Sequence, residues 1–165
     1  MRLVVLGWGN DSRGDDGLGP ALLARVTAAG WAELTTVEDY QLQIEHALDL
    51  VDVDCALFID AGKGTPAPFA FSHLTPKRDA THSTHALSPE AVLDVYAQVR
   101  DAAPPPAFAL IVRGESFELG EGLTQTGVER LEAAWDFIQT LMAERSVAAW
   151  DKLASESQPL LGFPA

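Results

Sequence analysis

Three short segments bring together side chains whose types and spacing suit acid-base or metal chemistry. The first is the loop Gly7-Trp8-Gly9-Asn10-Asp11-Ser12-Arg13-Gly14-Asp15-Asp16-Gly17-Leu18-Gly19, the second ends an apolar run at Asp60, and the third is His82-Ser83-Thr84-His85. Two carboxylates and one imidazole with open coordination positions suit a divalent transition metal, whereas a site for a hard ion usually lacks the histidine. Nickel and zinc satisfy that donor set equally well. Two acids brought close together are also able to share a proton and work as an acid-base pair. A serine, cysteine or aspartate-pair nucleophile is not evident.

Each residue also has a plainer reading. Asp15 and Asp16 suit the start of a helix, where the dipole favours negative charge. Asp60 is harder to set aside, because a carboxylate after a buried apolar run must reach water, a partner or a ligand. His85 by itself resembles any solvated loop histidine, and His82 is an equally eligible donor three residues away. His46 and His73 lack polar neighbours in sequence and read as structural or surface residues. Trp8 and Arg13 flank the acidic loop, and no role is assigned to them.

The elements that must position these groups alternate between strand and helix. Leu3 to Leu6 reads as a central strand, apolar on both faces and stopped by Gly7. Pro20 suits a first helical turn, Leu22, Val26 and Ala29 recur at helical spacing, and Gly30 is a C-terminal stop. A second strand is expected at Leu34 to Glu38, then a helix with Ile44, Leu48 and Val51 on its inner face. Cys55 to Ile59 is another buried strand, closed by Asp60, and Phe69 to Leu74 an edge strand behind Pro68.

Ser88-Pro89-Glu90 is a helix start, with serine as cap and proline in the first turn. It predicts Val92, Val95, Tyr96 and Val99 facing inward. Phe108 to Val112 supplies the last strand. Thr126 and Glu129 have capping-box spacing at the head of a long helix whose inner face is Val128, Leu131, Trp135, Ile138 and Met142. Residues 1–145 thus read as a single α/β domain, and 146–165 as an irregular tail.

Composition narrows the function further. The chain has 165 residues, 47% of them hydrophobic, enough for one sizeable core. Its 24 acidic residues outnumber the 11 basic ones, and a net charge of -13 disfavours nucleic acid and anionic membrane partners. The single cysteine, Cys55, cannot form an internal disulfide and reads as core. The opening Arg2 to Gly7 is too short for a signal-peptide apolar region, so a cytoplasmic protein is expected.

Gly7-Trp8-Gly9 after a strand and before a helix resembles the first part of a dinucleotide-binding fingerprint. The third glycine would fall at Ser12, Trp8 is bulky, and Asp11, Asp15 and Asp16 would repel a pyrophosphate. Glu38 ends the second strand where a ribose-binding acid belongs, so a nucleotide-binding module without hydrolytic activity remains the competing reading.

Taken together, Gly7-x-Gly9-Asn10, Arg13-Gly14-Asp15-Asp16-Gly17-x-Gly19, Ile59-Asp60-Ala61 and Ser83-x-His85-x-Leu87-Ser88-Pro89 occur in one order. In that order they resemble the motifs of the hydrogenase maturation endopeptidases. The segment Tyr40 to Ala47 is similar to the family's second-helix start, so the likeness runs from Met1 to the end of the long helix. The resemblance implies a three-layer α/β/α sandwich whose five-stranded mixed sheet has the order 2-1-3-5-4, strand four antiparallel.

By the same resemblance, the family's metal-contacting positions fall on Asp16, Asp60 and His85, with Asp15 and His82 as neighbours. Some members carry Glu at the first position, so Asp16 has a shorter reach. The implied activity is removal of a C-terminal extension from the large-subunit precursor of a nickel-iron hydrogenase. The implied nickel belongs to the substrate, no organic cofactor is expected, and the enzyme is expected to be a monomer. A non-catalytic chaperone gripping the same subunit would use the same ligands.

Overall fold

A computed structural model of the chain describes residues 1–78 and 86–161. Five strands form one sheet: β1 (Leu3–Trp8), β2 (Leu34–Asp39), β3 (Cys55–Gly62), β4 (Phe69–Leu74) and β5 (Ala107–Arg113). Their order is β2-β1-β3-β5-β4. All neighbours run parallel except β4, which pairs antiparallel with β5 from Phe69↔Val112 to Leu74↔Ala107. This is the sheet that the sequence resemblance implies.

Alternation along the central strands splits the core in two. Leu3, Val5, Leu57, Ile59, Phe108 and Leu110 point to a face covered by α1 (Leu18–Ala29), α3 (Gln125–Ala143) and α4 (Val147–Leu161). Val4, Leu6, Ala56, Phe58 and Ala109 point to the opposite face, covered by a 3-10 turn (Ile44–Leu50) and α2 (Pro89–Arg100). Strands buried on both faces explain the continuous apolar runs of β1, β3 and β5. Cys55 is wholly buried among them, and burial pushes its thiol up to about 12.

Several helix signals act as read. Gly30 ends α1 in the left-handed conformation (φ 65°). The Ser88 hydroxyl accepts the Ala91 N–H at 3.1 Å, with Pro89 in the first turn. The long helix starts earlier than its sequence spacing suggests. Thr124, not Thr126, is the cap, and its hydroxyl accepts the Gly127 N–H at 2.9 Å.

Further expectations are corrected, Val128 among them: placed on the inner face of the long helix by its spacing, it is exposed. The segment after β2 is a short 3-10 turn, not an α-helix with Ile44, Leu48 and Val51 inward. Ile44 and Leu48 are exposed, while His46, Ala47 and Leu50 are buried. Three residues per turn replace 3.6, and His46 is drawn inward because its Nδ1 accepts the Gln43 N–H (2.8 Å) while its Nε2 lies 3.2 Å from Asp39. On α2, Val99 is exposed, and Ala91, Val92 and Leu93 form the buried set.

The segment from 146 onward, expected as an irregular tail, contains α4. Trp150 is 0% exposed, edge-on to Phe108, and its indole N–H donates to Leu141 O at 2.9 Å. Asp151 takes His73 Nδ1 as a partner at 2.7 Å, so His73 has the polar company that its sequence neighbours lack. The helix covers β4, the edge strand of the sheet, and this long-range packing decides its conformation where local periodicity is weak.

Candidate functional site

The site lies where sheet topology reverses. From β1 the chain moves outward to β2 and then returns past β1 to β3, so the crevice between the carboxyl ends of β1 and β3 is the switch point. Gly7 pairs with Ile59 in the register. Trp8, the last residue of β1, and Asp60, two residues before the end of β3, therefore lie side by side, facing the layer formed by α2 and the 3-10 turn.

The first loop is folded tightly over this rim by its own backbone. Asn10 Oδ1 accepts the Ser12 N–H (2.9 Å), Arg13 N donates to Asn10 O (3.0 Å), and Asp16 N donates to Arg13 O (3.1 Å). Residues Gly14–Gly17 form a 3-10 turn leading straight into α1. Gly9 has φ 145°, and a Cβ there would overlap the Asp16 carbonyl oxygen. Gly19 is equally constrained, because its Cβ would overlap the Trp8 carbonyl. These glycines serve close packing of the loop and α1 against β1.

The two adjacent aspartates have different tasks. Asp15 is 0% exposed. Its carboxylate accepts the Glu115 N–H (2.7 Å), the Thr124 N–H (2.8 Å), the Thr124 hydroxyl (2.8 Å) and, at 3.4 Å, the Ser116 N–H. Desolvation pushes its pKa up, but these donors outweigh it, and the net shift is downward. Gly127 and Gly114 leave room for it, since a Cβ at Gly127 would overlap Asp15 Oδ1. Backbone bonds from Gly14 N to Glu121 O (2.8 Å), Asp15 N to Ser116 O (2.7 Å) and Gly120 N to Ser12 O (2.6 Å) complete the brace. Asp15 thus clamps the β5–α3 loop to the first loop.

Asp16, held by the Asn10 N–H on its Oδ2 (2.7 Å), is turned toward the rim. Asp60 is partly buried at the end of β3, and its Oδ1 accepts the Ala61 N–H at 2.8 Å. Burial pushes the Asp60 carboxyl up to about 7, the Ala61 N–H works against that shift, and the negative charge of Asp16 adds to it. The structure therefore brings Asp16 and Asp60 within electrostatic reach of one another. A cation at this point would relieve both the desolvation and the mutual repulsion.

His82 and His85 lie outside the described residues, as does the rest of 79–85. Among the described residues, no three of His, Cys, Asp and Glu gather as a metal-binding set. The segment after 85 is anchored on the Asp60 face: Leu87 packs into that core, and its N–H donates to Leu42 O at 3.1 Å. Sequence reading missed the clamp formed by Asp15. The spacing Asp15-x-x-x-Gly19 carries no mark of bonds to residues a hundred positions away.

No described helix is long and apolar enough to cross a membrane. No protein-family model and no curated protein sequence matches the chain. Solved structures do. The hydrogenase maturating endopeptidase HybD from Escherichia coli superposes with a TM-score of 0.69 at 23% identity, covering 88% of this chain and 93% of its own. The [NiFe] hydrogenase maturation protease HycI from Thermococcus kodakarensis gives 0.67 at 21%, covering 87% and 93%. A second protease from that organism, HybD, gives 0.65 at 16%, covering 86% and 99%. The chain therefore shares the fold of the hydrogenase maturation proteases over nearly their whole length.

Proposed function

We propose that this protein is an endopeptidase that removes the C-terminal extension of a nickel-iron hydrogenase large-subunit precursor, in the cytoplasm and after nickel insertion. The observation that carries this reading is the pairing of Asp16 with a half-buried Asp60 at the β1/β3 switch point, in a fold shared with proteases named for hydrogenase maturation. An acid pushed up to about 7 beside a second acid is a poor resident of a protein that meets no cation.

In this reading the precursor brings the nickel, and Asp16, Asp60 and His85 grasp it. Binding the ion would stabilise the charged form of Asp60, which burial disfavours, and Asp16 is pre-oriented by the Asn10 N–H. Holding the ion at the rim would position the peptide that follows it in the precursor, with the metal either polarising a carbonyl or water or serving recognition alone. The Asp15 clamp keeps the first loop from retreating under that load.

The test is a mass measurement of the precursor before and after incubation, with and without nickel loaded. Trimming is expected only of the nickel-loaded form. Asp16→Ala, Asp60→Ala and His85→Ala should each abolish it. An uncut precursor that nevertheless forms a stable complex would indicate a chaperone, and full activity in all three variants would remove the site.

A further inference from the structure

A second polar cleft opens at the carboxyl ends of β3 and β5, beside the β5–α3 loop that Asp15 clamps to the first loop. It is lined by Lys63, Gly64, Arg113, Ser116, Phe117 and Glu118, with a volume of about 370 Å³. Two cations, Lys63 and Arg113, line it together with two acids, Glu115 and Glu118. Glu115 is engaged by Arg130, whose Nη1 donates to it at 2.5 Å and to Arg113 O at 3.2 Å. Arg113 is left with Glu115 at 3.7 Å from its Nε and a long bond from Nη1 to Thr65 O (3.4 Å). Its Nε is buried and makes no hydrogen bond. Lys63 has no acidic partner among the described residues, and its ammonium lies 5.0 Å from the Phe117 ring centre.

Arg130 takes up Glu115, Glu118 lines the cleft and Glu121 is held on the Ser116 hydroxyl (3.4 Å), so the cleft carries no surplus charge, but Lys63 keeps no carboxylate partner among the described residues and Arg113 only a distant one. A substrate carboxylate would complete both. An arginine fork accepts such a group with two parallel bonds, and a lysine adds a mobile point charge. Arg113 pairs with Gly62 in the register, two residues beyond Asp60 on the same face of the sheet. At the rise of a strand that is about 7 Å, which an extended peptide crosses in about two or three residues.

We infer that the Lys63–Arg113 cleft binds a carboxylate of the peptide substrate, two or three residues from the bond cut at the Asp16–Asp60 rim. This rests on the proteolytic reading above for its substrate, while the binding itself is testable alone. The carboxylate has two sources, an acidic side chain or the free chain terminus.

The probes are short acetylated alanine peptides in three forms: free terminal acid, terminal amide, and terminal amide with one internal glutamate. They are titrated into ¹⁵N-labelled protein while the Arg113 Nε–H resonance is followed. The carboxylate forms should bind about tenfold or more tightly than the neutral amide, the scale of one charge-assisted contact. Lys63→Met and Arg113→Gln should each reduce that preference, and the double variant should erase it. Preference for the free acid alone identifies the terminus, and preference for the internal glutamate alone identifies a side chain. Equal binding of all three forms, or a preference that survives in the double variant, overturns the inference. In precursor cleavage, the same variants should raise KM with kcat unchanged. A wild-type protein that fails to cut the precursor defeats the proteolytic reading, and the titration still decides on the cleft.

Discussion

Replacing Asp60 by asparagine should make the metal-free protein more stable while removing its activity. The amide oxygen still accepts the Ala61 N–H, so the change deletes a charge and little else. The carboxyl is pushed from 3.8 up to about 7 in the folded state. Between those values the folded protein binds more protons than the unfolded chain, so its stability falls as pH rises through that window and levels off above it. At about 1.4 kcal/mol per pH unit, full ionisation costs about 4 kcal/mol. Solvent at the sheet rim reduces this, leaving an expected gain of about 2 to 4 kcal/mol for Asp60→Asn near pH 8. For a domain of 165 residues that raises Tm by roughly 5 to 15 °C. Near pH 4 the wild-type carboxyl is protonated in the folded state and half-protonated in the unfolded one, and the gain shrinks to less than about 1 kcal/mol. Urea unfolding with chelator present at both pH values measures this directly. A stabilisation independent of pH, or a loss of stability at pH 8, would refute the claim that buried charge at Asp60 is what the site holds in reserve.

Two further outcomes follow from the same structure. Asp15→Ala strands the N–H groups of Glu115, Ser116 and Thr124, and should cost about 3 to 5 kcal/mol in urea unfolding at neutral pH. Because the Asp15 pKa is lowered by folding, its stabilisation is complete above about pH 4 and is lost as pH falls through the folded value, so the variant should show a shallower acid limb. Trp150→Ala should cost about 3 to 5 kcal/mol by opening a cavity between β4, β5 and α4, seen as a lower Tm; an unchanged Tm would mean that α4 is not docked.

The strands, most helix starts and stops, and Asp60 as an acid after a buried run were legible in the chain itself, because each is set by short-range chemistry, whereas Asp16 was picked from its neighbour Asp15 only by the motif resemblance. Apolar runs broken by Gly7 and Asp60 mark strands buried on both faces, and Ser88-Pro89 marks a helix start wherever it occurs. The sheet order came from motif resemblance and not from periodicity, which is silent on which strand pairs with which. Only the tertiary structure decided the rest. It separated Asp15 from Asp16, one turned into a clamp on Glu115 and Thr124, the other toward Asp60. It turned Ile44 and Leu48 outward by drawing His46 in, and it made a helix of the segment around Trp150 by giving it β4 to cover. The clamp and the packing of α4 depend on partners distant in sequence, whereas His46 is held by Gln43 and Asp39 close by, and in each case burial outweighs the few tenths of a kcal/mol that local propensity contributes at each residue.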